Sequence, residues 1–128
     1  MNRADAITAL SALWCDLVRL DHHKDRDCHW SLEINWSYGQ PPTYHVLHNG
    51  YAFRVVALKA DRLEDAERML IAQLVRATDE QLAWAQQTLS DGDATDAHAA
   101  RSMLDLRPRF EAIKAELPVS MSPDVTPA

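Results

Sequence analysis

The chain has 128 residues, 47% of them hydrophobic and four of them tryptophan, with a formal net charge of −6. That length and composition suit one domain with a buried core and argue against a disordered chain. An acidic balance without a basic patch gives no general attraction to phosphate or to anionic lipid, so neither direct nucleic-acid binding nor membrane binding is expected.

The first element is a helix. Asn2 is placed as its N-cap with Asp5 three residues on, and Ala6, Leu10, Leu13, Leu17 and Leu20 form one apolar stripe flanked by Ile7, Trp14 and Val18. The helix is expected to end near Asp21, where His22 and His23 suit the negative end of a helix dipole.

Residues 28–58 alternate apolar and polar positions three times, the signature of half-buried strands. The expectation is a three-stranded antiparallel sheet with strands over 28–38, 44–48 and 51–58. Asn49-Gly50 is the natural type I′ turn, since both central positions of that turn need positive φ. It would pair His48 with Tyr51, Val46 with Phe53 and Tyr44 with Val55. A five-residue loop, 39–43, would set Tyr38 opposite Tyr44 and Trp36 opposite Val46. One face then gathers Trp30, Trp36, Tyr38, Tyr44, Tyr51 and Phe53, read as core and not as a base-stacking platform. The other face carries His29, Glu33, Asn35, Ser37, His45, Leu47, Arg54 and Val56, and a slip by one residue would undo this segregation.

Asp61-Arg62-Leu63-Glu64 reads as a capping box, followed by Leu63, Ala66, Leu70, Leu74 and Ala77 at helical spacing. Leu82, Ala85 and Leu89 continue the stripe, so residues 61–89 are one helix, or two meeting at the cap-like Thr78-Asp79-Glu80-Gln81. Ser90-Asp91-Gly92-Asp93 is a turn. A second arm over 95–117 carries Ala99, Met103, Leu106, Phe110, Ile113 and Leu117 at steps of four and three, antiparallel to the first arm. Pro108 predicts a kink or break near Leu106 and Arg107, because proline lacks a backbone donor and clashes with the preceding turn. Together these define an α+β fold: an N-terminal helix, the sheet, and a helical hairpin packed on one sheet face. A single domain is expected over 1–117, with a flexible, proline-containing tail over 118–128.

The order helix, three strands, helix resembles that of double-stranded RNA binding domains. The resemblance is one of element order. Asp61-Arg62-Leu63-Glu64-Asp65 stands where those domains carry lysines, so it implies no RNA binding here.

Candidate chemistry is sparse. The segment Asp21 to His29 gathers His22, His23, Asp25, Asp27, Cys28 and His29, residue types that suit a transition metal, but their spacing matches no known ligand motif. Its plainer reading is a charged connection between helix and sheet. Cys15 lies near an apolar stripe and reads as a packing residue, while alternation separates the Cys28 thiol from the His29 ring. No phosphate-cradling glycine loop is present, and no cofactor is expected.

Charge points elsewhere. Residues 1–60 balance six acids with six bases, whereas residues 61–117 carry twelve acids and seven bases. An acidic helical surface suits a protein partner with a basic face. The sequence therefore reads as a small non-enzymatic binding module, an inhibitor or adaptor acting on a larger complex that handles nucleic acid, of the kind exemplified by phage anti-CRISPR proteins. Candidate contact residues are Asp79, Glu80, Asp91 and Asp93 on the helices and Asn35, His45, Leu47 and Arg54 on the sheet. The alternative is a metal-binding enzyme or sensor built on the 21–29 cluster. A homodimer through the outer sheet face or the helical repeat of 99–117 is a further expectation. Two cysteines without a spaced framework and no secretory or membrane-spanning stretch lead to an expectation of a cytoplasmic protein.

Overall fold

The computed structural model describes residues 1–21, 29–50 and 53–118, with the backbone alone at 49, 50 and 53–57. Seven elements follow in order: α1 (Arg3–Leu20), β1 (His29–Asn35), β2 (Thr43–Gly50), β3 (Phe53–Ala60), α2 (Leu63–Ser90), α3 (Ala97–Leu104) and α4 (Arg107–Glu116). The α+β class and the order of elements match the expectation. The tail expected to be flexible lies, from residue 119 on, outside the described residues. No described helix is long and apolar enough to cross a membrane.

α1 starts where its cap predicts: the Asn2 side chain accepts a hydrogen bond from the Asp5 amide at 2.8 Å. Its expected stripe is the buried one, with Ala6, Leu10, Leu13, Trp14, Leu17 and Val18 all inside. Two contacts fix its direction against α2. Arg3 Nε donates to Glu67 Oε1 at 3.2 Å near the two N-termini, and Gln81 Nε2 donates to Asp21 Oδ2 at 2.7 Å some four turns further on. The two helices are therefore parallel, and three antiparallel strands, an odd number, carry the chain back between them.

α2 is one unbroken helix through Thr78. The Thr78 hydroxyl does not cap a new helix; it donates to the Leu74 carbonyl at 2.7 Å within the same helix, the usual way a buried threonine is satisfied there. The expected capping box at its start is not formed. Arg62 occupies the N-cap without a side-chain cap bond and pairs instead with Glu64.

The second arm breaks where proline demands it. Pro108 sits in the first turn of α4, where its missing N–H has no helical partner to lose. Its ring would collide with the carbonyl four residues back, at Leu104, which is the last residue of α3. α3 folds back along α2, with Gln81 touching Met103 Sδ at 3.6 Å, and α4 continues along α1, with Arg109 donating to Asp16 at 2.6 Å. Ala99, Ala100, Met103, Phe110 and Ile113 are buried in this packing. The apolar side of the 99–117 repeat is thus turned into the chain's own core.

Strand order is β1-β2-β3, all antiparallel. The expected registers are not the observed ones. β1 pairs with β2 four residues away from the expected alignment: Leu32 faces Val46, and Ile34 faces Tyr44. The Asn49-Gly50 turn is also displaced, because β2 continues through Gly50, which pairs with Phe53. Length explains both shifts. A β2 that runs two residues further lets all seven residues of β1 find partners, where the five-residue loop would have left its first half unpaired. A shift of four keeps β1 on its expected face, but β3 changes parity. Leu58 and Ala60 now lie across from Val46 and Tyr44, and a register irregularity after His48 absorbs the odd residue. The pairings expected for Tyr51 fall outside the described residues, as does the Phe53 side chain.

The core sits between the helices and one sheet face. Val46 is fully buried there with Ala60, and Trp30, Leu32, Tyr44 and Leu58 pack against the same cluster. The expected aromatic row is shorter than the sequence suggests. β1 ends at Asn35, so Trp36 and Tyr38 lie beyond it in the loop, exposed by 78% and 105%, and neither is core.

Candidate functional site

The residues singled out for partner contact fall on two separate layers. Asp79 and Glu80 are exposed on α2, on the helical layer. Asp79 lies 3.9 Å from Lys114 of α4, a loose pair in solvent. Asp91 and Asp93 sit about 18 Å further along the helix axis, at its C-terminal turn. There Asp91 accepts from the Gln87 side chain, Nε2 to Oδ1, at 2.8 Å, whereas Asp93 serves the backbone, its Oδ1 accepting from the amides of Thr95 at 2.9 Å and Asp96 at 3.4 Å. Asp93 holds the turn and Asp91 pairs with a helix side chain, while Asp79 and Glu80 stand exposed along α2.

The sheet residues occupy the face turned away from the helices. Asn35 is exposed opposite Thr43, and His45 is half-buried between Glu33 on β1 and Lys59 on β3. The Thr43 hydroxyl lies 3.2 Å from His45 Nε2. Leu47 departs from expectation. It shares this outer face by alternation, yet it is fully buried and offers a partner nothing to touch. Arg54 pairs through its backbone with Asn49, and its side chain is outside the described residues. Val56, expected on the outer face, pairs through its backbone with His48, and its side chain too is outside the described residues.

Sequence reasoning missed Lys59. The expected third strand stopped at 58, one residue short of it, whereas β3 runs to Ala60 and the row Glu33, His45, Lys59 crosses all three strands with opposite charges at its two ends. The signal that could have found it is that Leu58 and Ala60, not Lys59, suit the helix side of the sheet.

The metal candidates give little geometry. His22, His23, Asp25, Asp27 and Cys28 lie outside the described residues. His29 is exposed at the start of β1, and Asp21 is buried against Gln81 at the end of α1. Among the described residues no group of three or more histidine, cysteine, aspartate or glutamate side chains converges. Cys15 is exposed on α1, so the expected packing role is corrected.

Among the described residues, aromatic rings meet between α1 and the sheet. His48 stacks on Trp30, ring centroids 4.5 Å apart at 13°, and meets the edge of Trp14 at 6.2 Å and 78°. It joins α1 to β1 and β2.

No protein-family model matches this chain, and neither the curated proteins nor the solved structures searched contain a match.

Proposed function

We propose that the chain is a small acidic protein-binding module that meets its target with a preformed surface. The role that fits is a stoichiometric inhibitor or adaptor on a larger complex with a basic face, including one that handles nucleic acid, as anti-CRISPR proteins do. The observation that carries this reading is the charge of residues 61–117, twelve acids against seven bases, with Asp79 and Glu80 exposed side by side on α2. Opposed charge of this kind speeds encounter and selects partners more than it tightens the final complex.

The test is a charge reversal confined to those two positions, since Asp93 also holds a turn and Asp91 binds the Gln87 side chain. A partner recovered from the native host should associate more slowly with Asp79→Lys/Glu80→Lys, and the difference should shrink as salt rises. Unchanged association would end this reading. A stoichiometric transition metal in the purified chain, lost in His22→Ala/His23→Ala, would replace it with the metal-dependent one.

A further inference from the structure

We infer that the outer edge of β1 is the seam of a homodimer, in which two β1 strands pair antiparallel and join the sheets of two copies into one of six strands. β1 has β2 on one side and, among the described residues, no strand on the other. Such an edge presents a row of backbone donors and acceptors that a second strand can satisfy, and natural edges are usually guarded by charge. β3, the opposite edge strand, carries two bases, Arg54 and Lys59. β1 carries one acid, Glu33, and no base.

A two-fold axis through the seam makes the register calculable. Centred on Leu32, the pairing sets Trp30 against Ile34 of the second copy, Ser31 against Glu33, and His29 against Asn35. No like charges meet. Centred on Glu33, the same strands would place two carboxylates face to face, so charge disfavours that alignment, and the Leu32-centred one is the register that pairs all seven residues of both strands. A seven-residue ladder of this kind forms about six to eight backbone hydrogen bonds.

Side chains at the seam need cover. Ile34 lies on the helix side of β1 yet is 60% exposed, so the helical layer stops short of this end of the strand and leaves room for the second copy. Trp36 and Tyr38 follow β1 at the end that the pairing brings beside the start of the partner strand. Large aromatic side chains bury roughly 150–250 Å² each, so covering these three residues on both copies removes on the order of 1,000 Å² from water. With the strand backbones added, the total reaches the lower end of specific interfaces, about 1,200 Å². The apolar residues of the helical repeat, Ala99, Met103, Phe110 and Ile113, are buried within the chain.

The experiment uses the full chain with Cys15→Ser and Cys28→Ser as background. His29→Cys/Asn35→Cys brings two cysteines within disulfide reach only in the Leu32-centred register, since opposed Cα atoms in such a ladder lie about 4.5–5.5 Å apart. Oxidised glutathione should give a covalent dimer on a non-reducing gel, and Ala12→Cys, exposed on α1, should not. Sedimentation should show a monomer–dimer equilibrium in the unmodified chain. Trp36→Ser/Tyr38→Ser should raise its dissociation constant at least tenfold, with unchanged circular dichroism. A monomer at every concentration, a failure of the His29/Asn35 crosslink, or a dissociation constant indifferent to the loop substitutions would each overturn the seam.

Discussion

Phe110→Ala tests how α4 is held. The helix has ten residues and only two buried side chains, Phe110 and Ile113. Phe110 is fully buried in the cluster that includes Leu10, Leu13 and Leu74, and Lys114 Nζ lies 4.4 Å above its ring. The other ties are surface ion pairs, Arg109 to Asp16 and Lys114 to Asp79, each worth less than about 1 kcal/mol. Burying a phenyl side chain contributes about 1.5–3 kcal/mol by transfer alone, and the cavity left by truncation raises the usual loss to about 3–5 kcal/mol. In a domain of this size that is a large share of a total near 5–15 kcal/mol, and it lowers the melting temperature by roughly 10–20 °C. Urea unfolding measures the loss. Amide exchange should show α4 opening first, while the α1 and α2 amides around Leu13 and Leu74 stay protected longest. A loss below about 1 kcal/mol, or equal loss of protection in all helices, would refute the placement of the anchoring energy in this one ring.

Three further outcomes follow from individual contacts. Gln81→Leu removes the buried bond to Asp21 and should cost about 1.5–3 kcal/mol in urea unfolding, with coupling of at least about 1 kcal/mol to Asp21→Asn in a double-mutant cycle; additive losses would show the two groups independent. Pro108→Ala should change stability by less than about 1 kcal/mol, because proline in a first turn sacrifices no helical bond, whereas Ala85→Pro in the middle of α2 should cost about 3 kcal/mol or more by the same assay. Asn2→Ala should cost about 1 kcal/mol and Asn2→Asp close to none, read from thermal melts.

Helices were legible in the sequence and strand registers were not, for a physical reason. A helix writes its buried face locally: the spacing of Leu10, Leu13 and Leu17, or of Ala66, Leu70 and Leu74, is sufficient, and Pro108 marks its own break. Thr78 needed the structure because a threonine caps or back-bonds according to the packing around it. Register is a contest among pairings far apart in the chain. The local preference of Asn49-Gly50 for a tight turn lost to a longer ladder that satisfies the whole of β1 and puts Leu58 and Ala60 against the core. The same ladder carries β3 past its expected end at 58 to take in Lys59, and sets the Val56 backbone opposite His48. The exposure of Trp36 and Tyr38 likewise depends on where β1 stops, which alternation alone does not reveal. The acidic character of the later helices was plain from composition, but only the hydrogen bonds separate Asp93, which holds a turn, and Asp91, which binds Gln87, from Asp79 and Glu80.

The parallel arrangement of α1 and α2 has a consequence for synthesis on the ribosome. α1 and the sheet both bury against α2, which is made after them. Translation at about 5–20 residues per second delays the 28 residues of α2 by roughly 1–6 s. For that interval the emerging half-chain exposes Leu10, Leu13, Val46 and Leu58 with nothing to cover them, which makes it a natural client for a chaperone and makes slowed codons within α2 a route to misassembly.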